Sequence, residues 1–119
     1  MPKAKFVPFD SVEHQSNRPG VVLTSLVDGD TGATLISSGV AEFKVGASAP
    51  THYHDAEESV IAIEGEGLMV INGEEHIVRP NDAAFISPGA HHSIANHGNQ
   101  TFKISWTYAS INWSTTPVE

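Results

Sequence analysis

Two histidines and one glutamate are spaced as ligands of a single metal ion. His52 and His54 are two residues apart, so on an extended strand their side chains leave from the same face. Glu58 follows His54 by four residues, and this even step keeps it on that face if the chain stays extended. Imidazole and carboxylate ligands without sulfur suit divalent iron, manganese, nickel, cobalt or zinc, and this donor set does not choose among them.

A fourth ligand is expected from a more distant part of the chain. His92 is the best candidate because it opens a predicted strand directly after a tight turn at residues 87–89, which would point it back into the mouth of a barrel. Three histidines and one glutamate would leave two positions of an octahedral ion for substrate, water or dioxygen. Of the other histidines, His91 is expected to point away from the site, and His14, His76 and His97 are expected to be exposed.

The composition is that of one globular domain without affinity for nucleic acid or membranes. The 119 residues carry 14 acidic and 6 basic side chains, a formal net charge of −8, and the basic residues are scattered singly. No cysteine is present, which excludes disulfides, thiolate metal sites and a cysteine nucleophile. Apolar runs are short and no apolar signal region opens the chain, so we expect a cytoplasmic protein.

The spacing of turn residues predicts an all-β domain. Gly and Pro recur roughly every eight to twelve residues between β-branched and aromatic segments. Asn72-Gly73 predicts a two-residue hairpin turn in which both residues adopt positive φ. We expect residues 1–20 to form a lead-in arm, 21–108 a barrel and 109–119 a tail that frays after Trp113. The predicted strands are Val21–Val27, Leu35–Val45, Glu58–Glu64, Leu68–Ile71, Glu75–Val78, Ala83–Ile86, His92–Asn96 and Thr101–Tyr108.

Two motifs resemble those of a known family. The first consists of Gly46, His52, His54, Glu58 and Gly65, and the second of Gly89, His92 and Asn96. With these motifs the chain is similar to a cupin, a small metalloprotein, from about Val21 to Tyr108. The resemblance implies a single cupin domain over residues 1–119 and an antiparallel, jelly-roll-like double-stranded β-helix. The two departures, Asn81 for a glycine and Ser87 for a proline, touch no ligand.

The resemblance also implies a function built on one divalent transition metal. Its ligands would be His52, His54, Glu58 and His92, with Fe2+ or Mn2+ favoured and Ni2+, Co2+ or Zn2+ as alternatives. Cupins include dioxygenases, lyases, isomerases and sensors, so the fold alone assigns no reaction. The chain also resembles the cupin lyases that split dimethylsulfoniopropionate. In those lyases a tyrosine follows the glutamate ligand, whereas Ser59-Val60-Ile61 stands here, so we do not transfer that activity.

The alternation of side chains along the strands predicts which residues form the walls of a substrate pocket. Val60 and Ala62 follow Glu58 by two and four residues, so on a strand their side chains point to the same face as that of Glu58. The last long strand has an apolar face and a polar face. Phe43 and Val45 are expected to seal the barrel, and Tyr108, with Glu58, is a candidate acid or base. The predicted pocket residues are Phe43, Val60, Ala62, Phe102 and Trp106.

Three functions fit these features. The leading hypothesis is a metal-dependent enzyme, of the dioxygenase or the lyase and isomerase type, acting on a small carbonyl or carboxylate compound. The alternative is a non-catalytic small-molecule binding or sensor protein, and the third is a structural metal site. A homodimer is expected, because small cupins pair by sheet edges or swapped N-terminal strands and the arm from Lys3 to Pro19 suits such an exchange.

Overall fold

Two antiparallel sheets face each other and enclose the core. Residues 1–118, which the computed structural model describes, form eleven strands and two short 3-10 turns, Phe9–Ser11 and Gly29–Thr31. The six-stranded sheet has the order β1-β2-β3-β10-β5-β8 and the five-stranded sheet the order β11-β4-β9-β6-β7. The strands are β1 His14–Arg18, β2 Val21–Val27, β3 Ser37–Phe43, β4 Ser48–His54, β5 Glu58–Glu64, β6 Gly67–Ile71, β7 Glu74–Val78, β8 Ala83–Ile86, β9 His92–Ala95, β10 Phe102–Tyr108 and β11 Thr115–Pro117.

This architecture confirms the predicted all-β, jelly-roll-like fold. Every strand pair found in residues 1–118 is antiparallel. The same stretch contains no helix long and apolar enough to span a membrane.

Strand β10 forms the centre of the core. It pairs with β3 on one side and with β5 on the other. Its side chains alternate between buried and half-buried along the strand, as the period of two requires. The four buried residues are Phe102, Ile104, Trp106 and Tyr108. The predicted alternation of this strand is therefore correct.

The Asn72-Gly73 hairpin is confirmed. It joins β6 to β7, and Asn72 and Gly73 have φ of 49° and 84°. Positive φ at both central residues is the requirement of the type I′ turn, whose twist matches that of the flanking strands.

Three strands were missing from the predicted list. Strand β1 lies within the arm, β11 within the tail, and β4 contains Pro50. Strands β1 and β11 are exposed along their whole length, so they carry no hydrophobic alternation and owe their existence to pairing with β2 and β4. The expected fraying after Trp113 is wrong for residues 115–117, and Glu119 lies outside the described residues.

The third strand is shorter than predicted. It runs over Ser37–Phe43, whereas Leu35, Ile36 and Val45 are 77%, 48% and 58% exposed. Val45 therefore does not help to seal the barrel as expected. The chain leaves the sheet after Phe43 and turns at Gly46, whose φ is +86°, so the parity that buries Phe43 ends before Val45.

Close packing at one glycine gives a test of the core. A Cβ atom at Gly67 would overlap the ring of the fully buried Phe102. We expect Gly67→Ala to lower the free energy of unfolding by about 1–3 kcal/mol, because overpacking forces side chains and backbone to shift. The measurement is chemical denaturation. Gly29→Ala is the matched control, because the nearest atom there is 3.8 Å away, and equal stability of the two variants would contradict this packing.

Candidate metal centre

Three histidines and a glutamate converge between the two sheets. His52 and His54 lie on β4 and His92 on β9, where His52 and His92 are direct cross-strand partners. One ligand nitrogen from each histidine lies within 4.8 Å of the others. Glu58, from the first position of β5, brings its Oε1 to 3.6 Å from His54 Nε2 and 3.4 Å from His92 Nε2. The sequence-predicted set is thus brought together in space.

Hydrogen bonds on the far side of each ring orient the imidazoles. His52 Nδ1 donates to the Pro50 carbonyl at 2.7 Å and His92 Nδ1 to the Ala90 carbonyl at 2.9 Å. His54 Nδ1 lies 3.3 Å from the Ser114 carbonyl. A carbonyl only accepts, so Nδ1 carries the proton in each ring and Nε2 carries the lone pair that can bind a metal.

A second contact that orients the His54 ring also comes from the tail. Thr115 Oγ1 lies 3.0 Å from His54 Nδ1, and β11 pairs with β4 with Thr115 opposite His54. The Ser114 amide donates to Asp55 Oδ1 at 2.7 Å and fixes the same segment. The tail therefore positions a candidate ligand.

The buried carboxylate has the character of a metal ligand. Glu58 is 6% exposed, and within residues 1–118 its Oε1 has no hydrogen-bond donor. An unpaired buried carboxylate oxygen is costly, because no water or protein dipole replaces its hydration. A divalent cation held by three Nε2 atoms and Oε1 would compensate this cost, so the donor set fits such an ion.

The electrostatics of the site separate the histidines. Burial lowers the pKa of His52 and His54, so both rings stay neutral over a wider pH range than an ordinary histidine. Burial also lowers the pKa of His92, but its contacts with Glu58 and the Ala90 carbonyl outweigh burial and the net shift is upward. His92 is consequently the first of the three to take up a proton as the pH falls.

A tyrosine hydroxyl reaches the same centre. Tyr108 Oη lies 3.2 Å from His54 Nε2, and Tyr108 is the cross-strand partner of Glu58. Burial raises the pKa of the Tyr108 phenol, and the nearby Glu58 carboxylate raises it further. The phenol therefore keeps its proton and can donate it within the site.

The four residues form part of the wall of a largely apolar cavity of about 190 Å3. Of the predicted pocket residues, Phe43, Val60 and Trp106 line it. Ala62 and Phe102 are buried in the core and are not among the lining residues, because strand parity identifies an inward side chain but not its depth along the barrel.

Sequence reasoning missed part of the cavity rim. Arg18 lies in the arm and Trp113 and Thr115 in the tail, yet all three line the cavity. Trp113 stacks on Tyr108 with ring centroids 4.3 Å apart and an interplanar angle of 12°. An isolated tryptophan in a polar tail was the one signal in the sequence that this segment packs on the domain.

The remaining histidines lie outside the centre. His91 is exposed and stacks on Tyr53, with centroids 5.4 Å apart. His14, His76 and His97 are exposed, as predicted, and His14 Nδ1 lies 2.8 Å from Thr24 Oγ1.

Comparison with known proteins places this site in a family. Residues 39–108 match the cupin domain, and the structure resembles the polyketide cyclase RemF from Streptomyces resistomycificus, with a TM-score of 0.86, 23% identity and coverage of 98% of this chain and 87% of that one. The tetracenomycin polyketide synthase protein TcmJ from Streptomyces glaucescens is 31% identical over 94 residues, which are 78% of this chain and 63% of TcmJ.

A lyase is also similar in sequence. The dimethylsulfoniopropionate lyase DddW from Ruegeria pomeroyi is 29% identical over 75 residues, 63% of this chain and 49% of that protein. The chain thus spans between about half and just under two thirds of the length of these two curated relatives. The cupin-domain match covers most of the barrel and both motifs, and it agrees with the observed fold. The chain belongs to the cupin family.

Proposed function

We propose that this protein is a metal-dependent enzyme that acts on a small carbonyl- or carboxylate-bearing molecule. The observation that carries the proposal is the convergence of three histidine Nε2 atoms and the unpaired Glu58 Oε1 at the wall of an apolar cavity. Such a cavity, with few polar groups converging at one place, is the usual form of a small-molecule site.

His52, His54, Glu58 and His92 would hold the metal. A divalent ion bound there would polarise a substrate oxygen as a Lewis acid. Fe2+ or Mn2+ is favoured and Ni2+, Co2+ or Zn2+ would also suit the donors. Because Glu58 is the one anionic ligand, the site would keep a net positive charge and attract anionic groups.

The protein's own residues would prepare the substrate for proton transfer. Phe43, Val60 and Trp106 line the cavity with apolar side chains, and a substrate bound there would displace water and so strengthen electrostatic interactions inside it. The Tyr108 phenol is protonated and lies 3.2 Å from a ligand nitrogen, so it is placed to hydrogen-bond to an oxygen of the reacting group and to donate its proton as negative charge develops there. Glu58 and Tyr108 are therefore the proposed catalytic pair.

The buried phenol favours a lyase, isomerase or cyclase over a dioxygenase. Those reactions move protons, whereas a dioxygenase needs space for dioxygen beside the substrate. The relatives TcmJ and DddW, a polyketide synthase protein and a lyase, agree with this preference. The sequence lacks a tyrosine directly after Glu58, but Tyr108 brings a phenol to the centre from the neighbouring strand. The dioxygenase remains the second candidate, since the same ligand set leaves two positions open.

A homodimer is part of the proposal. Ile61, Ile63 and Phe85 are 44%, 48% and 66% exposed on β5 and on the edge strand β8, an apolar surface that a second copy would cover. The cytoplasmic location stays a prediction from the sequence.

The ligand assignment predicts metal loss on mutation. The His52→Ala/His54→Ala double variant is expected to retain little metal after chelation and reloading, because two of the four donors are gone. Elemental analysis of the purified protein provides the measurement. His76→Ala/His97→Ala removes two exposed histidines and should bind metal like the wild type. Equal metal content in both double variants would show that the ion lies elsewhere.

Metal affinity is expected to fall as the pH is lowered. Ligand histidines must be neutral to bind a metal. The pKa of His92 is shifted upward from the ordinary histidine value of about 6.5, so His92 takes up a proton at a higher pH than an ordinary histidine does. The loss of affinity should therefore begin at or above about pH 6.5, while His52 and His54 protonate only at lower pH. Competition with a chelator at several pH values measures this effect. An affinity that is constant from about pH 8 to about pH 5 would be incompatible with histidine ligands.

Turnover decides between an enzyme and a binding protein. The metal-loaded protein is to be screened against small carbonyl and carboxylate compounds in air and without oxygen. Product in both atmospheres supports the lyase, isomerase or cyclase, and product in air alone supports the dioxygenase. Saturable binding without product, across the iron, manganese, nickel and zinc forms, would instead support the non-catalytic binding or sensor protein.

The proposed roles of Tyr108 and Glu58 can then be tested separately. Tyr108→Phe should keep the metal but reduce kcat about 10²–10⁴-fold, the usual contribution of a general acid. Tyr53→Phe is the matched control, because Tyr53 is the second of the two tyrosines and does not line the cavity. Unchanged kcat in Tyr108→Phe would remove the tyrosine from the mechanism.

Glu58→Gln should keep the fold and strongly reduce turnover, because it removes the anionic ligand.

A further inference from the structure

We infer that Arg18 selects substrates that carry an anionic group, so that the cavity takes molecules with an apolar body and a carboxylate at its mouth. Arg18 is exposed and yet lines the cavity, which places it at the rim, whereas His54, Glu58 and His92 are buried. The inference rests on the proposed function only in that both assign the substrate to this cavity.

The backbone of Arg18 is fixed by the turn that follows it. Arg18 is the last residue of β1 and the cross-strand partner of the buried Val21. The two residues between them are Pro19 and Gly20, and Gly20 has a φ of +75°, a conformation that favours glycine. The Gly20 carbonyl accepts a hydrogen bond from the Lys44 amide at 2.8 Å, which ties the turn to the barrel.

Side-chain contacts strengthen this placement. Ser16 Oγ donates to the carbonyls of Val21 and Arg18, at 2.9 and 3.2 Å. A Cβ atom at Gly20 would come within 2.8 Å of the Ala47 Cβ, so the turn packs closely on the neighbouring loop. The structure therefore holds the Arg18 backbone at the rim, and because Arg18 is the cross-strand partner of Val21, which also lines the cavity, its side chain leaves the strand on the cavity side.

The guanidinium has no acidic partner in residues 1–118. Arg79, the other arginine, lies 3.8 Å from Glu66, and Lys103 lies 3.7 Å from Glu42, but Arg18 forms no such ion pair. It is also the one Lys or Arg among the described residues that line the cavity. A free guanidinium has the fork geometry that binds a carboxylate through two hydrogen bonds.

The negative charge of the chain as a whole makes the Arg18 guanidinium a selective site for anions. The chain carries a formal net charge of −8, so an anion is repelled by most of the surface and attracted where Arg18 stands. Apart from Arg18 and the residues of the metal centre, the cavity lining is mainly aliphatic and aromatic, as at Val21, Ile104 and Trp106. An apolar or aromatic carboxylate fits an apolar lining with one cation at the rim, whereas a neutral analogue leaves the guanidinium without an anionic partner.

Calorimetric titration with two matched probes tests the inference. The probes are 2-naphthoate and 2-naphthamide, which share an apolar body and differ in charge. Titrations are to be run on the zinc-loaded protein and on the chelated protein, because in the chelated form the carboxylate cannot gain affinity by binding a metal. We expect the wild type to prefer the carboxylate about three- to tenfold in both forms, the range for a charged contact at a rim.

Two variants locate the preference. Arg18→Gln should bind the amide like the wild type and lose the preference for the carboxylate, whereas Arg79→Gln should keep it. Absence of the preference in the wild type, or its persistence in Arg18→Gln, overturns the inference. Failure of the proposed function has a different signature: the carboxylate preference and its loss in Arg18→Gln would remain in the chelated protein while metal retention or turnover is missing.

Discussion

The Glu58 carboxylate is buried between two sheets, and its Oε1 faces imidazole nitrogens rather than hydrogen-bond donors. A buried charge costs free energy unless opposite charge or strong donors surround it. In this protein the carboxylate and the imidazoles come from different sheets, because Glu58 belongs to the six-stranded sheet and the three histidines belong to the five-stranded sheet. The site therefore forms only because the two sheets pack face to face.

The orientation of the imidazoles depends on the same condition. Each Nδ1 is held by an oxygen, and for His52 and His92 this oxygen belongs to a carbonyl two residues earlier in the chain. His54 instead relies on Ser114 and Thr115 from the tail. Local geometry thus orients two of the rings, whereas the third is oriented by a strand some sixty residues away. The tail consequently belongs to the site as much as to the surface.

What the sequence predicts well is what depends on local periodicity. The shared strand face of His52 and His54, the Asn72-Gly73 turn and the alternation along β10 follow from backbone geometry over a few residues. Glu58 was expected on that face if the chain stayed extended, but the chain bends at residues 55–56 and Glu58 reaches the site from the other sheet. Tyr108 was predicted as a candidate acid or base, but its nearness to His54 follows from its register against Glu58, which no local pattern encodes. His92 was chosen because it opens a predicted strand after the turn at residues 87–89, and the second motif then agreed with that choice, but no local pattern places it beside His52.

The misplaced residues have a common physical cause. Ala62 and Phe102 have the parity of inward side chains and are buried, but barrel depth decides whether an inward side chain meets the cavity or the core. Phe102 fills the space above Gly67 and packs 6.2 Å from the Phe43 ring, so it supports the pocket wall from behind. Parity alone therefore predicts burial and leaves the distance from the metal centre undetermined.

The rim and the base of the cavity are built by different kinds of structure. The base consists of central strands with alternating buried residues, whereas Arg18 and Thr115 belong to the outermost strands of the two sheets, which are exposed along their length. Such edge strands contribute little buried apolar surface, so their side chains can change at small cost to the core. In the proposed function, the central strands would keep the ligands that a metal requires while the edge strands would set which molecule reaches them, a division that would let one fold host many reactions.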